Sequence, residues 1–148
     1  NLLENVINNG QAFEKLKELV KYQGGDTKCI DDPNLLPKSK YIVEVKSNFS
    51  GYINSINAEE IGECALKLGS GRETKESKID HSVGIVLNKK VDDKVTKGDI
   101  LAYIHGNNLS KIAEVQKKLQ KIIKIGNKNN ARKKLIYGIV TKDGFTVY

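Results

Sequence analysis

The residues of this chain best suited to chemistry on an anion lie in Gly69-Ser70-Gly71-Arg72-Glu73-Thr74-Lys75. Glycines let backbone amides approach a phosphate, and Arg72 and Lys75 supply positive charge. Two features weigh against a phosphate cradle. The spacing is not that of a P-loop, in which Gly-Lys-Ser/Thr follows the first glycine after four residues. The loop also follows a helix, whose carbonyl end repels anions. The segment is therefore read as a structural turn, or as a loop that docks on another domain. Asp80-His81-Ser82 contains the residue types of a catalytic triad, but neighbours on an extended chain point to opposite faces and cannot form a relay. His105 closes a strand, no His/Cys cluster has zinc spacing, and Asp92-Asp93 lacks the alternating oxygen ligands of a calcium loop. Cys64 reads as a small core residue, and Cys29 lies far from it in sequence. Two cysteines make no disulfide framework, so a reducing, cytoplasmic setting is expected.

These candidates need elements to hold them. Gln11 to Tyr22 has the period of a helix, with Ala12, Phe13, Leu16, Leu19 and Val20 on one face and Gly24-Gly25 as the stop. That face lacks a partner nearby, so the helix is expected to end a preceding lobe. The chain opens at Asn1 and contains no Met, and it is expected to be a piece of a longer protein. Asp26 to Lys40 holds both prolines and reads as a linker. From Tyr41 the period becomes two, predicting a strand to Lys46, and Ser50-Gly51 turns the chain into a second at Tyr52–Ile56. Asn57 with Glu60 forms a capping-box pattern for a helix whose stripe is Ile61, Cys64, Ala65 and Leu68, ended by Gly69. Val83–Leu87 and Ile100–His105 read as further strands, with a polar turn between them broken by Val95. Leu109–Ile125 carries a helical stripe of Ile112, Val115, Leu119 and Ile122. Leu135–Tyr148 reads as a hairpin through Lys142-Asp143-Gly144.

The 148 residues carry a net charge of +7, and the excess sits after residue 108. The lysines of Leu109–Ile125 surround an apolar stripe, and no aromatic residues interleave with them to stack bases, so they read as a solvated face and no nucleic-acid partner is expected. No apolar run approaches the roughly 18–20 residues that span a bilayer, and no membrane partner is expected. The composition of 39% hydrophobic and 29% charged residues suits one globular domain with an appendage.

Val91–Ile104 resembles the half-barrel of biotinyl and lipoyl carrier domains. The residues that follow, His105-Gly106-Asn107-Asn108-Leu109, hold no lysine to carry the prosthetic group. A wider resemblance is carried by an ordered series: Gln23-Gly24-Gly25-Asp26, Asp31-Asp32-Pro33, Leu36-Pro37, Gly51-Tyr52-Ile53, Ala58-Glu59-Glu60-Ile61-Gly62, Leu68–Lys75, Ile79-Asp80, Val83–Leu87 and Lys97-Gly98. This series resembles the C-terminal part of the pyrimidine-nucleoside phosphorylase family, from about Gln11 to His105 and densely from Ala58.

The resemblance implies an α+β fold: an α/β-hammerhead with barrel-sandwich-like β units, preceded by a helix of the parent's α/β lobe. Residues 1–25 would be that terminal helix, 26–40 the linker, 41–126 the hammerhead domain, and 127–148 a basic segment with the hairpin. It implies a homodimeric parent that splits pyrimidine nucleosides with inorganic phosphate as co-substrate, in a cleft between a helical lobe and the α/β lobe. The Lys-His-Ser-Thr phosphate segment of the family does not occur here. No catalytic, substrate-binding, metal or cofactor residue is therefore expected, and Gly69, Gly71, Arg72 and Lys75 would form an interlobe closure loop. The other reading is a non-enzymatic biotinyl/lipoyl-like or nucleic-acid-binding module.

Overall fold

A computed structural model describes residues 1–72, 74–127 and 136–147. Glu73, the basic stretch 128–134, Leu135 and Tyr148, on which some of the sequence readings fall, lie outside the described residues. The chain divides into two compact units, Asn1–Lys38 and Ser39–Tyr148.

The first unit is helical. Helix α1 (Leu2–Asn8) precedes α2 (Gln11–Tyr22), which has the span its apolar period predicts. No residue of either is buried, and Phe13, Leu16, Leu19 and Tyr22 stay exposed along α2. Lys17 Nζ lies 2.6 Å from Asp31 and 4.9 Å from the Phe13 ring centre, and the hydrogen bond to Asp31 raises the lysine's pKa. The segment 26–40 carries a single α turn, α3 (Lys28–Asp31), and a 3-10 turn at Pro33–Leu35 capped by Asp32, whose side chain accepts from Asn34 N at 2.9 Å.

The second unit has strands β1 (Tyr41–Lys46) and β2 (Gly51–Ser55), then helix α4 (Ala58–Ala65). Strands β3 (Gly84–Leu87), β4 (Lys94–Val95) and β5 (Ile100–Gly106) lead into helix α5 (Leu109–Ile122). Strand β6 (Lys124–Gly126) and the hairpin β7 (Gly138–Thr141) and β8 (Gly144–Val147) complete it. The result is a mixed α+β unit with several small antiparallel sheets, ordered β1-β5-β3, β4-β2-β6 and β7-β8.

Strand β5 is central because it is apolar on both faces. Ala102 and Ile104 point to one core, with Val45, Cys64, Leu68, Val83 and the α5 stripe Ile112, Val115, Leu119 and Ile122. Leu101, on the opposite face as alternation requires, enters a second core with Ile53, Val95 and Ile123. Gly106 ends β5 where α5 crosses closely: a Cβ there would stand 2.7 Å from Ile112 Cγ1.

Two sequence expectations are corrected. The helical period predicts a helix to Ile125, but α5 stops at Ile122 and Lys124 lies on β6. Ile122 and Ile123 are both buried, in different cores, so the chain must leave the helix between them; Ile123 is extended (φ −81°, ψ 103°). The stretch around Val95, read as a turn, includes β4, because Val95 is buried opposite Gly51.

Candidate functional site

The glycine loop is built from α4 onward. Asn57 caps α4 through Oδ1, which accepts from Glu59 N at 3.1 Å and Glu60 N at 3.4 Å, while its Nδ2 donates to Glu60 Oε1 at 2.8 Å. Cys64 and Leu68 bury the inner face, and burial raises the Cys64 thiol pKa, which suits a packing residue rather than a nucleophile. Outside, Lys118 Nζ reaches Glu63 at 2.6 Å and Lys67 pairs with Glu114, tying α4 to α5. Each pair favours its charged forms: Lys118 is raised by Glu63 and Glu114 lowered by Lys67.

After Ala65 the helix widens into a π turn, Leu66–Ser70, broken at Gly69 by a left-handed backbone (φ 113°) that residues with a Cβ adopt at a cost. Gly71 is then extended. Arg72 and Lys75 are exposed, and neither makes an ion pair with a described residue. Thr74 N donates to Ser77 Oγ at 3.1 Å and Ser77 N to Thr74 O at 3.2 Å, closing a small turn. Gly69 and Gly71 are thus half-buried at the helix's carbonyl end, and Arg72 and Lys75 follow as exposed residues.

The base of the loop is closed by residues that looked like a triad. Asp80 N donates to Gly69 O at 2.9 Å. Asp80 Oδ1 accepts from Ser82 N at 2.9 Å and from Ser82 Oγ at 2.6 Å. Asn107 Nδ2 donates to Asp80 Oδ2 at 2.7 Å and to Ser82 Oγ at 3.0 Å. These bonds, the Ser82 hydroxyl first, hold the Asp80 carboxyl below its ordinary range. His81 is exposed and makes no hydrogen bond with a described residue. The group is a knot of polar side chains with no relay through the imidazole.

Asn107 is the site residue that sequence reading overlooked. Its one signal is position: it stands between a buried strand end and Asn108, whose Oδ1 caps α5 by accepting from Lys111 N at 3.1 Å. Where a carrier domain would present its lysine hairpin, this chain starts a helix. Among the described residues no group of three or more His, Cys, Asp or Glu could hold a metal. A cavity of about 340 Å³ lies elsewhere, between the end of α5 and the β1–β2 turn, with Lys46, Lys121 and Lys124 on its walls. Lys121 sits in the last turn of α5, where positive charge offsets the exposed carbonyl ends. Among the described residues no helix is long and apolar enough to cross a membrane.

The second unit is thus a mixed α+β domain whose glycine loop carries two exposed cationic residues. The pattern of the family "Pyrimidine nucleoside phosphorylase C-terminal domain" matches residues 52–126, half of the chain, and the chain belongs to that family. It is similar to "Pyrimidine-nucleoside phosphorylase" of Bacillus subtilis (strain 168), 44% identical over 140 residues that cover 95% of this chain and 32% of the relative. The protein of the same name from Staphylococcus haemolyticus (strain JCSC1435) is 48% identical over 124 residues, 84% of this chain and 28% of the relative. That of Staphylococcus aureus (strain USA300) is 44% identical over 141 residues, 95% of this chain and 32% of the relative. The chain spans about a third of the length of the curated relatives it matches.

Proposed function

We propose that this chain is the closure-supporting C-terminal domain of a pyrimidine-nucleoside phosphorylase, with the α/β-hammerhead architecture of that family. The identity of 44% across 95% of the chain, against relatives three times its length, carries the reading. In the parent reaction an oxygen of inorganic phosphate bonds to C1′ as the C1′–N bond breaks. The electron pair leaves with the pyrimidine, which takes up a proton, and the products are a free base and a pentose 1-phosphate. Residues 41–126 do none of that bonding. They form one wall of the cleft, and the Gly69–Lys75 loop meets the helical lobe when the lobes close. Arg72 and Lys75 then make interlobe contacts and add positive potential near an anionic substrate, helping to orient the reactants and exclude water.

The exposed apolar face of α2 fits burial against the rest of the α/β lobe. The parent is read as a cytoplasmic homodimer, without membrane or nucleic-acid partners. Replacing Arg72 by Ala in the full-length enzyme tests the closure role. A fall in kcat/KM is expected; unchanged turnover with unchanged substrate affinity would remove it.

A further inference from the structure

Asn107 makes hydrogen bonds in two directions. Its Oδ1 accepts from Lys40 N at 2.7 Å, where the chain comes into the second unit. Its Nδ2 donates to Asp80 Oδ2 and Ser82 Oγ at 2.7 and 3.0 Å. Asp80 N in turn holds Gly69 O at 2.9 Å, so the far end of the glycine loop is laced to its start. A primary amide suits this post, having an acceptor at one end and a two-proton donor at the other. A carboxylate could serve Lys40 N and an ammonium could serve Asp80, but neither could serve both. Asn107 also has little room to swing: it is partly buried, between Gly106, packed against Ile112, and the α5 cap Asn108.

We propose that Asn107 is a positioning residue that couples the path of the chain at Ser39–Lys40 to the placement of the glycine loop at Gly69 and Asp80. Only its kinetic consequence rests on the closure reading above; the coupling itself has an independent readout. The side chain transmits because both ends of the link are hydrogen bonds to one rigid amide plane: a shift of Lys40 tilts the plane and moves the donors that hold Asp80.

Residue-resolved hydrogen exchange on the full-length enzyme reads the coupling. Ser82→Ala does not touch Lys40, yet it should speed exchange of the Lys40 amide by roughly two- to threefold, the low end of what a net hydrogen bond is worth, because Asn107 keeps its bond to Asp80. Unchanged Lys40 exchange in that variant overturns the proposal. Asn107→Asp keeps an acceptor for Lys40 but sets a carboxylate against Asp80. Its kcat/KM relative to wild type should be depressed above neutral pH and recover as pH falls, when the two carboxyls share a proton. His81 acts electrostatically on Asp80, so the same ratio taken with His81→Asn in both backgrounds isolates the carboxyl pair. A flat ratio while Arg72→Ala lowers kcat/KM overturns the coupling. Unchanged kinetics in Arg72→Ala removes only the closure reading, and the exchange result then decides alone.

Discussion

The Asp80 carboxylate accepts from Ser82 N, Ser82 Oγ and Asn107 Nδ2, and these bonds favour its ionised form. Its folded pKa lies below the unfolded value of about 3.9, so its contribution to stability is present above that value and is lost as pH falls through the folded pKa. Ser82→Ala removes the leading cause. The Asp80 carboxyl should then titrate at higher pH by carbon-13 NMR, and acid unfolding should begin at higher pH; no movement in either would mean that the hydroxyl is idle. Gly69 makes a different demand. At φ 113° an alanine is strained although its Cβ would meet nothing closer than 3.8 Å, so Gly69→Ala should cost about 1–2 kcal/mol from backbone conformation alone. A lowered urea midpoint with an unchanged slope checks it.

Between α4 and α5, apolar packing and ion pairing can be weighed against each other. Leu119 is fully buried, whereas Lys118 beside it bridges to Glu63 with its side chain 42% exposed. Leu119→Ala should cost about 2–5 kcal/mol and Lys118→Ala less than about 1 kcal/mol, compared by denaturant unfolding in one buffer. Leu119, Ile112, Val115 and Ile122 were legible in the sequence because a helix on one core leaves a regular stripe. So were Tyr41–Lys46 and the Asn57 cap, each written in local period or chemistry. The end of α5 was not, because Ile122 and Ile123 are equally apolar and only the presence of two cores makes the chain turn between them. Val95 hid for a related reason: a two-residue strand has no period to read. Of the candidate site, the glycine loop could be singled out from its composition alone, but Asn107 could not, since its partners lie 67, 27 and 25 positions away.

Across the whole chain the two units differ in what holds them. The second has two cores that share β5, so Ala102 and Leu101 commit one strand to both at once, and loss of either core should unfold β5 and the rest together. The first unit buries no side chain in α1, α2 or α3. Its longest helix has 12 residues, at the margin of about 12–15 below which isolated helices are marginal in water. Its local devices, among them the Asn1 and Asp32 caps and the Lys15–Glu18 and Lys17–Asp31 pairs, each contribute at most about 1–2 kcal/mol. A peptide of residues 1–38 should therefore show weak helical circular dichroism that fades without a sigmoid on heating. Residues 39–148 should unfold in a single cooperative transition close to that of the 148-residue chain. A sharp melt in the short peptide, or a large drop in the melting temperature of the longer piece, would show that the first unit holds more of the stability than its burial allows. The expected outcome would place the Phe13–Tyr22 face among surfaces that gain their order from a larger protein around them.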